Sequence, residues 1–135
     1  MPVYGAKEHQ RRLRRMRGAI VQPITNACLQ EAEDVAKDAQ FSITQGSISG
    51  KGHVPSKPGE PPNADTRVLD GNIEGKSTGP FKAESSSNAP YAASLEGGTS
   101  RMEPRPYMGP AAKISRKRFP KRLVRAVNKV VRRAG

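Results

Sequence analysis

Apolar residues recur at helical spacing through the first third of the chain. The steps between them are three or four residues, which places them on one face of a helix. They are Leu13, Met16, Ile20, Ile24, Cys28, Ala32, Val35 and Ala39. Pro23 interrupts the pattern, because a proline inside a helix removes a backbone hydrogen bond and clashes with the preceding turn. The sequence therefore predicts a long helix between Ala6 and Ile43 that is kinked at Pro23, or split there with the first part ending near Val21.

Small and polar residues dominate residues 44–66, where glycines and prolines alternate and no apolar position repeats. The sequence predicts an extended loop there, and a loop of this length is commonly functional or ordered by a partner. "RVLDGNIEGKS" then predicts a short strand, alone or with a turn, around Val68, Leu69 and Ile73. "PFKAESSS" alternates and predicts a second short strand.

The last third of the chain returns to helical spacing. A turn of helix is expected at Tyr91 to Leu95, a tight loop at "EGGTS" and a third strand near Arg105 to Met108. Pro110 suits the first position of a final helix, and Pro120 interrupts that helix, so its last regular piece is expected from Phe119. The apolar stripe of this helix is Ile114, Phe119, Leu123, Val127 and Val130 or Val131.

Together these elements predict a single α+β domain over residues 1–135. It consists of the long N-terminal helix, the loop at 44–66, a small antiparallel sheet and a basic C-terminal helix over 111–135. The chain has 135 residues, of which 34% are hydrophobic and 4% aromatic, with no tryptophan. The core must therefore be modest, and chains of this kind often gain stability by assembling.

The number of cysteines and the length of the apolar runs further restrict the class of protein. Cys28 is the only cysteine, which excludes an internal disulfide, and its place on an apolar helix face favours a small buried side chain over a reactive thiol. No apolar run approaches the roughly 18–20 residues that span a bilayer. The first residues also lack the apolar core of a signal peptide. We therefore expect no membrane partner.

The net charge of +12 is concentrated at the two ends. Residues 1–22 carry a net +5 and residues 111–135 a net +10, whereas residues 23–40 carry −3 and the middle is neutral. Basic ends on a neutral body predict a polyanionic neighbour, either nucleic acid or an acidic face of another protein. The candidate contacts are Arg11, Arg12, Arg14, Arg15, Arg116, Lys117, Arg118, Lys121, Arg122 and Arg125.

"GKST" at Gly75–Thr78 is the one sequence that resembles part of a catalytic or nucleotide-binding motif. A phosphate-binding loop needs a glycine five positions before Gly75, where this chain has Asp70, and it must open a helix. Gly79 and Pro80 follow instead, so a turn between two strands is favoured.

Few residues are candidates for acid–base catalysis or metal binding. His9 lies among arginines and His53 in the glycine-rich loop, and neither has the closely spaced ligands that zinc requires. Glu96 and Glu103 each have an arginine nearby, Arg101 or Arg105, with which to pair. A hydrolase or nuclease would need a carboxylate–histidine or metal cluster, so we expect no cofactor, no metal and no enzymatic activity.

The stretch "APYAASLEGGTSRMEPRPYMGPA" resembles the characteristic motif of neck or tail-component proteins of long-tailed bacteriophages. The matching residues are Tyr91-Ala92, Glu96, Gly98-Thr99, Arg105-Pro106-Tyr107 and Pro110-Ala111. Upstream, "SKPGEPPNADTRVLDGNI" is similar to the loop of that family, a Pro-Gly-x-Pro-Pro turn followed by Asp-Thr and a strand. The chain departs from the family at Gly97, where an aromatic residue is usual, and at Arg67, where glycine is usual.

This resemblance implies a structural virion protein of the phage neck, assembled in the host cytoplasm. Such a protein forms a homo-oligomeric ring, a hexamer or dodecamer, between the portal or head-completion (stopper) proteins and the tail tube or terminator. It joins head to tail and lets genomic DNA pass through its lumen. The alternatives are a tail terminator that caps the tube and, in another class, a basic protein that binds nucleic acid without sequence preference.

Two sets of residues are candidates for contacts between subunits and between rings. Prolines and glycines fix the direction of the backbone, while tyrosines and arginines supply contact area and charged hydrogen bonds. The candidates for the interface within a ring are Tyr91, Glu96, Gly98, Thr99, Arg101, Arg105, Pro106 and Tyr107. The loop candidates for contact with a neighbouring ring are Pro58, Gly59, Pro61, Pro62 and Asp65.

Overall fold

A computed structural model describes residues 4–45, 50–63 and 68–134 of the chain. Three helices dominate it: α1 (Ala6–Ala19), α2 (Val21–Thr44) and α5 (Met108–Ala134). Between α2 and α5 lie a short 3₁₀ turn (Gly50–Gly52), helix α3 (Val68–Gly71), strands β1 (Ile73–Gly79) and β2 (Lys82–Ser87), and helix α4 (Ala92–Gly97). The predicted α+β order is confirmed. Among the described residues, no helix is both long and apolar enough to cross a membrane.

The N-terminal helix is split, as one of the two predicted arrangements requires, but the break falls at Ile20. Pro23 is the third residue of α2, where backbone N–H groups have no partner within the helix. A proline is tolerated in that first turn because it removes no hydrogen bond. The N–H of Ile20 still donates to Met16 and that of Ile24 to Ile20, so the two helices follow one another directly.

Strands β1 and β2 form an antiparallel hairpin in which Ile73 faces Ser87 and Lys76 faces Glu84. The hairpin packs across α2, and at Gly75 the two backbones nearly touch. A Cβ atom on Gly75 would lie 2.6 Å from the carbonyl carbon and oxygen of Ala32 and from the nitrogen of Glu33. The glycine of "GKST" therefore permits close packing of strand on helix, and the motif lies within β1 rather than at the turn.

One predicted strand begins later than expected, at Ile73, and another is wrong. Val68 and Leu69 belong to α3, which is closed by hydrogen bonds from Asn72 to both residues, and Leu69 is buried in the core. The third strand expected near Arg105 is absent from the described chain, and α5 begins at Met108. The backbone N–H groups of Tyr107 and Met108 instead donate to the carboxylate of Glu96, and that of Arg105 donates to the carbonyl of Leu95, so they do not pair with a strand.

Helix α5 runs antiparallel to α2 and begins two residues before Pro110. It also continues through Pro120, contrary to the expected restart at Phe119. The proline ring leaves the carbonyl of Arg116 without its usual helical partner, and both Arg116 and Pro120 are exposed. Of the predicted stripe, Val130 is buried whereas Ile114 is 53% exposed.

The hydrophobic core lies where α2, the hairpin, α4 and the start of α5 meet. It is built mainly from small and β-branched side chains around one aromatic ring, that of Tyr107, which is 1% exposed. Its members are Val35, Ala36, Ala39, Ile43, Leu69, Ile73, Ala89, Ala92, Tyr107 and Ala111. Helix α1, by contrast, contains no buried residue.

Candidate interaction surfaces

Glu96 caps the N-terminus of α5. Its Oε2 accepts hydrogen bonds from the backbone N–H groups of Tyr107 (2.9 Å) and Met108 (3.0 Å), and its Oε1 accepts one from Gly109 (2.7 Å). The first N–H groups of a helix have no partner within the helix and carry partial positive charge, so a carboxylate there stabilises the helix. The expected pairing of Glu96 with an arginine is therefore replaced by a helix cap.

Residues 95–105 form a closed loop on that cap. The N–H of Arg105 donates to the carbonyl of Leu95 at 2.7 Å, and inside this closure Thr99 and Met102 form an isolated antiparallel bridge. Gly98 has φ +73°, and a Cβ atom there would lie 2.9 Å from the carbonyl oxygen of Met102 and from Cδ of Pro104. Gly98, the glycine of the Gly-Thr pair, is thus required because its φ is positive and because a side chain there would collide with Met102 and Pro104.

Tyr107 joins this loop to the sheet. Its hydroxyl lies 2.8 Å from the Oγ atom of Ser87 at the end of β2, and burial raises the pKa of the phenol above its usual value of 10.0. Three of the proposed ring-interface residues, Glu96, Gly98 and Tyr107, therefore have roles inside the subunit. Pro106 and Arg105 are half-buried, and Tyr91, Thr99 and Arg101 are exposed.

The described part of the predicted loop, residues 50–63, lies against this same region. The N–H of Gly59 donates to the carbonyl of Pro104 at 2.9 Å, and the side chain of Asn63 donates to the carbonyl of Val54 at 2.7 Å. Pro58 and Gly59 are exposed, Pro61 is half-buried and Pro62 is buried. Asp65 lies outside the described residues. The two motifs that carried the family resemblance are therefore adjacent in space.

An ion-pair network joins the acidic face of α2 to α5. Nε of Arg118 lies 2.8 Å from Oε1 of Glu31, and its Nη1 lies 3.0 Å from Oδ2 of Asp38. Arg122 contacts Asp34 through a hydrogen bond and Glu31 at 3.5 Å. Two of the ten candidate polyanion contacts, Arg118 and Arg122, thus already face carboxylates of their own chain.

The other eight cationic candidates are solvent-exposed; Arg125 lines a groove between α2 and α5, and the remaining seven lie in two regions. Arg116, Lys117 and Lys121 lie on the N-terminal half of α5, around the exposed Ile114. Four of the five arginines of α1, those from Arg11 to Arg15, line a groove that also contains Ala134, so the C-terminal end of α5 lies against α1. The two basic ends of the sequence are therefore neighbours in the fold.

Side chains suited to metal or acid–base chemistry are dispersed. Across residues 4–45, 50–63 and 68–134, no group of three or more histidine, cysteine, aspartate and glutamate side chains could hold a metal ion. His9 lines the α1 groove among arginines. Cys28 is half-buried beside the hairpin, in a groove that also contains Phe81 and Phe119.

Three features that shape these surfaces were not among the predictions from the sequence. The helix pairing had a signal, because Glu31, Asp34 and Asp38 recur at helical spacing, as do Arg118 and Arg122. The Ser87–Tyr107 bond had none. Nor did the hairpin tip, where Phe81 adopts φ 58° and its N–H donates to Oγ1 of Thr25 at 3.1 Å.

Comparison of the chain with protein-family models, curated proteins and solved structures gives no match.

Proposed function

We propose that this chain is a non-enzymatic virion protein of a long-tailed bacteriophage. Its copies form a ring in the neck, between the portal or head-completion proteins and the tail tube. The ring joins the DNA-filled head to the tail and leaves a passage for the genome.

The observation that carries this proposal is the exposure of helix α1. This helix has 14 residues, none of them buried, and Leu13 on its predicted apolar face is 49% exposed. Isolated helices of this length are marginal in water, and most helical stability in proteins comes from tertiary packing. A neighbouring copy that covers the side of α1 on which Leu13 lies would supply that packing. Repetition of such a head-to-tail contact closes a ring when the rotation between copies is fixed.

The closed loop at residues 95–105 supports the same proposal. Its backbone is held by the Glu96 cap, the Leu95–Arg105 hydrogen bond and the close packing at Gly98. Tyr91, which is 42% exposed, and Arg101 then project from a rigid base. A rigid base limits the entropy lost when subunits associate and fixes the angle between them.

The docked loop at residues 50–63 gives each subunit a second projecting element beside the first. Pro58 and Gly59 form its exposed turn, and the hydrogen bond from Gly59 to Pro104 ties that turn to the 95–105 loop. One subunit would thus present one element to its neighbour in the ring and the other to the adjacent ring. The alternative is a terminator of the tail tube. The two roles differ in the level of the neck at which the ring would lie.

The experiment that tests the proposal is electron microscopy of particles made when the gene is disrupted. Separate full heads and finished tails are expected if the protein joins head to tail. Overlong tails would assign it to termination of the tail tube. Normal, infectious particles would overturn the neck proposal and favour a nucleic-acid-binding protein unconnected with the virion.

A further inference from the structure

Two cationic grooves meet where α1 lies against the C-terminal end of α5. The first groove is lined by Arg11, Arg12, Arg14 and Arg15 of α1 together with Ala134. The second lies between α2 and α5 and is lined by Arg122, Arg125, Lys129 and Arg133. Arg133 lines one groove and the next residue, Ala134, lines the other, so the two grooves are adjacent, and we call them together the α1–α5 surface.

Most of the positive charge of this surface is not neutralised by ion pairs within the chain. The carboxylates of Glu31, Asp34 and Asp38 on α2 face Arg118 and Arg122. Arg125, Lys129 and Arg133 are exposed and form no ion pair with any described carboxylate. Glu8 is the one acid among the residues that line the two grooves. A strong positive potential therefore faces solvent along this surface.

The composition of the surface fits a phosphate backbone better than the core of a protein interface. Protein interfaces are enriched in aromatic residues, methionine and arginine and depleted in lysine at their centre. The residues lining the two grooves include no aromatic side chain other than the imidazole of His9, and they add the amides of Asn26 and Gln30. Arginine, lysine and amide side chains are the usual donors to phosphate oxygens.

The spacing of the charges fits a duplex. Arg125, Lys129 and Arg133 follow one another at intervals of four residues, which is about 6 Å along a helix. Duplex DNA carries one negative charge per about 1.7 Å of its axis, so a row of cations at this interval finds phosphates at any sequence. We propose that the α1–α5 surface binds the phosphate backbone of duplex DNA without sequence preference. The inference concerns a single subunit and does not depend on ring formation.

The test is the affinity of the purified full chain for a short duplex of arbitrary sequence, measured by fluorescence anisotropy over a series of salt concentrations. The logarithm of the association constant should fall linearly with the logarithm of the salt concentration, with a slope of about −0.9 for each phosphate neutralised. The triple variant Arg125→Gln, Lys129→Gln, Arg133→Gln should reduce the magnitude of that slope by about 3 and weaken binding at least about tenfold at low salt.

A matched triple variant separates a site from general charge. Lys51→Gln, Lys57→Gln, Lys82→Gln removes the same charge from exposed positions outside the α1–α5 surface. It should lower the affinity by no more than about threefold. The triple Arg11→Gln, Arg12→Gln, Arg15→Gln should act like the Arg125 triple, since both alter one surface. Circular dichroism of each variant verifies that the helices are retained.

Three outcomes would overturn the inference. The first is binding that does not depend on salt, and the second is an equal loss for the Lys51 and Arg125 triples. The third is equally tight binding of poly-glutamate, which would assign the surface to an acidic protein. None of these outcomes alters the particle phenotype of the disrupted gene, and normal particles would leave the binding result standing. The failure of one proposal is therefore distinguishable from the failure of the other.

Discussion

Gly75 is the residue at which β1 and α2 come closest. A methyl group there would lie 2.6 Å from three backbone atoms of Ala32 and Glu33, and backbone cannot move aside as the end of a side chain can. Gly75→Ala should therefore lower the free energy of unfolding by about 1–3 kcal/mol, the usual cost of overpacking. Chemical denaturation measures this difference directly.

Gly71→Ala is the control for that variant. Gly71 lies in α3, and a Cβ atom there would have no heavy atom within 4 Å. Alanine also favours helix over glycine by up to about 1 kcal/mol, so this variant should be neutral or slightly stabilised. Equal stability of the two variants would mean that the hairpin does not press on α2 as described.

Glu96 is the residue that fixes where α5 begins. Glu96→Ala leaves three backbone N–H groups without their carboxylate acceptor and should cost about 1–2 kcal/mol of the free energy of unfolding. Glu96→Gln retains an acceptor oxygen but loses the charge, so its free energy of unfolding should lie between those of the wild type and Glu96→Ala. Glu103→Ala, at an exposed position in the same segment, should change stability by less than about 0.5 kcal/mol. A cost for Glu103→Ala equal to that of Glu96→Ala would contradict the assigned cap.

At the scale of elements, the docking of α5 on α2 should depend on pH through Asp34. The hydrogen bond from the Arg122 guanidinium holds the pKa of this carboxyl below its ordinary value of 3.8. The folded state therefore binds the proton less readily than the unfolded state does. The stability gained is complete well above pH 3.8 and is lost as the pH falls through the lower pKa of the folded state.

Comparison of two variants over pH tests this dependence. Asp34→Asn should cost about 1 kcal/mol at neutral pH, because the pair is partly exposed, and this difference from the wild type should shrink as the pH falls below 3.8. Glu33→Gln, exposed on the same helix, should follow the wild-type curve. Urea denaturation at a series of pH values measures both. A pH-independent cost of Asp34→Asn would contradict the role assigned to the ion pair.

Periodicity predicted the elements because helix and hairpin spacing is local information. The apolar steps of α2 and the alternation of "PFKAESSS" needed only neighbouring residues. The cap on α5 could not be found this way, because Glu96 meets N–H groups that lie eleven to thirteen residues later. The same holds for Gly75, which as a sequence feature is indistinguishable from a turn glycine. Its role depends on how closely α2 approaches, and that distance is set by the tertiary fold.

The candidate surfaces, too, could be predicted from the sequence only in part. The sequence indicated that both ends are basic, and the charge counts contained that information. It did not indicate which cations are neutralised within the chain. That outcome depends on α2 and α5 lying antiparallel, which brings Arg118 and Arg122 onto an acidic face and leaves Arg125, Lys129 and Arg133 outside it.

At the scale of the whole molecule, Arg105 should matter more to assembly than to folding. Its backbone N–H donates to Leu95, a bond that alanine retains. Its side-chain Nε is buried with no hydrogen-bond partner among the described residues, so truncation removes an unsatisfied group from the subunit. Arg105→Ala should therefore change the free energy of unfolding by less than about 1 kcal/mol.

The consequence for assembly is measured in particles. With the disrupted gene complemented by Arg105→Ala, the fraction of joined particles should fall at least about tenfold, since loss of about 1.4 kcal/mol at each interface already changes association tenfold. Lys113→Ala, which removes one charge at an exposed position of α5, should complement normally. Thermal unfolding of both purified variants accompanies the particle counts. If Arg105→Ala assembled normally yet unfolded early, the side chain would belong to the fold of the subunit and the interface would have to be sought elsewhere.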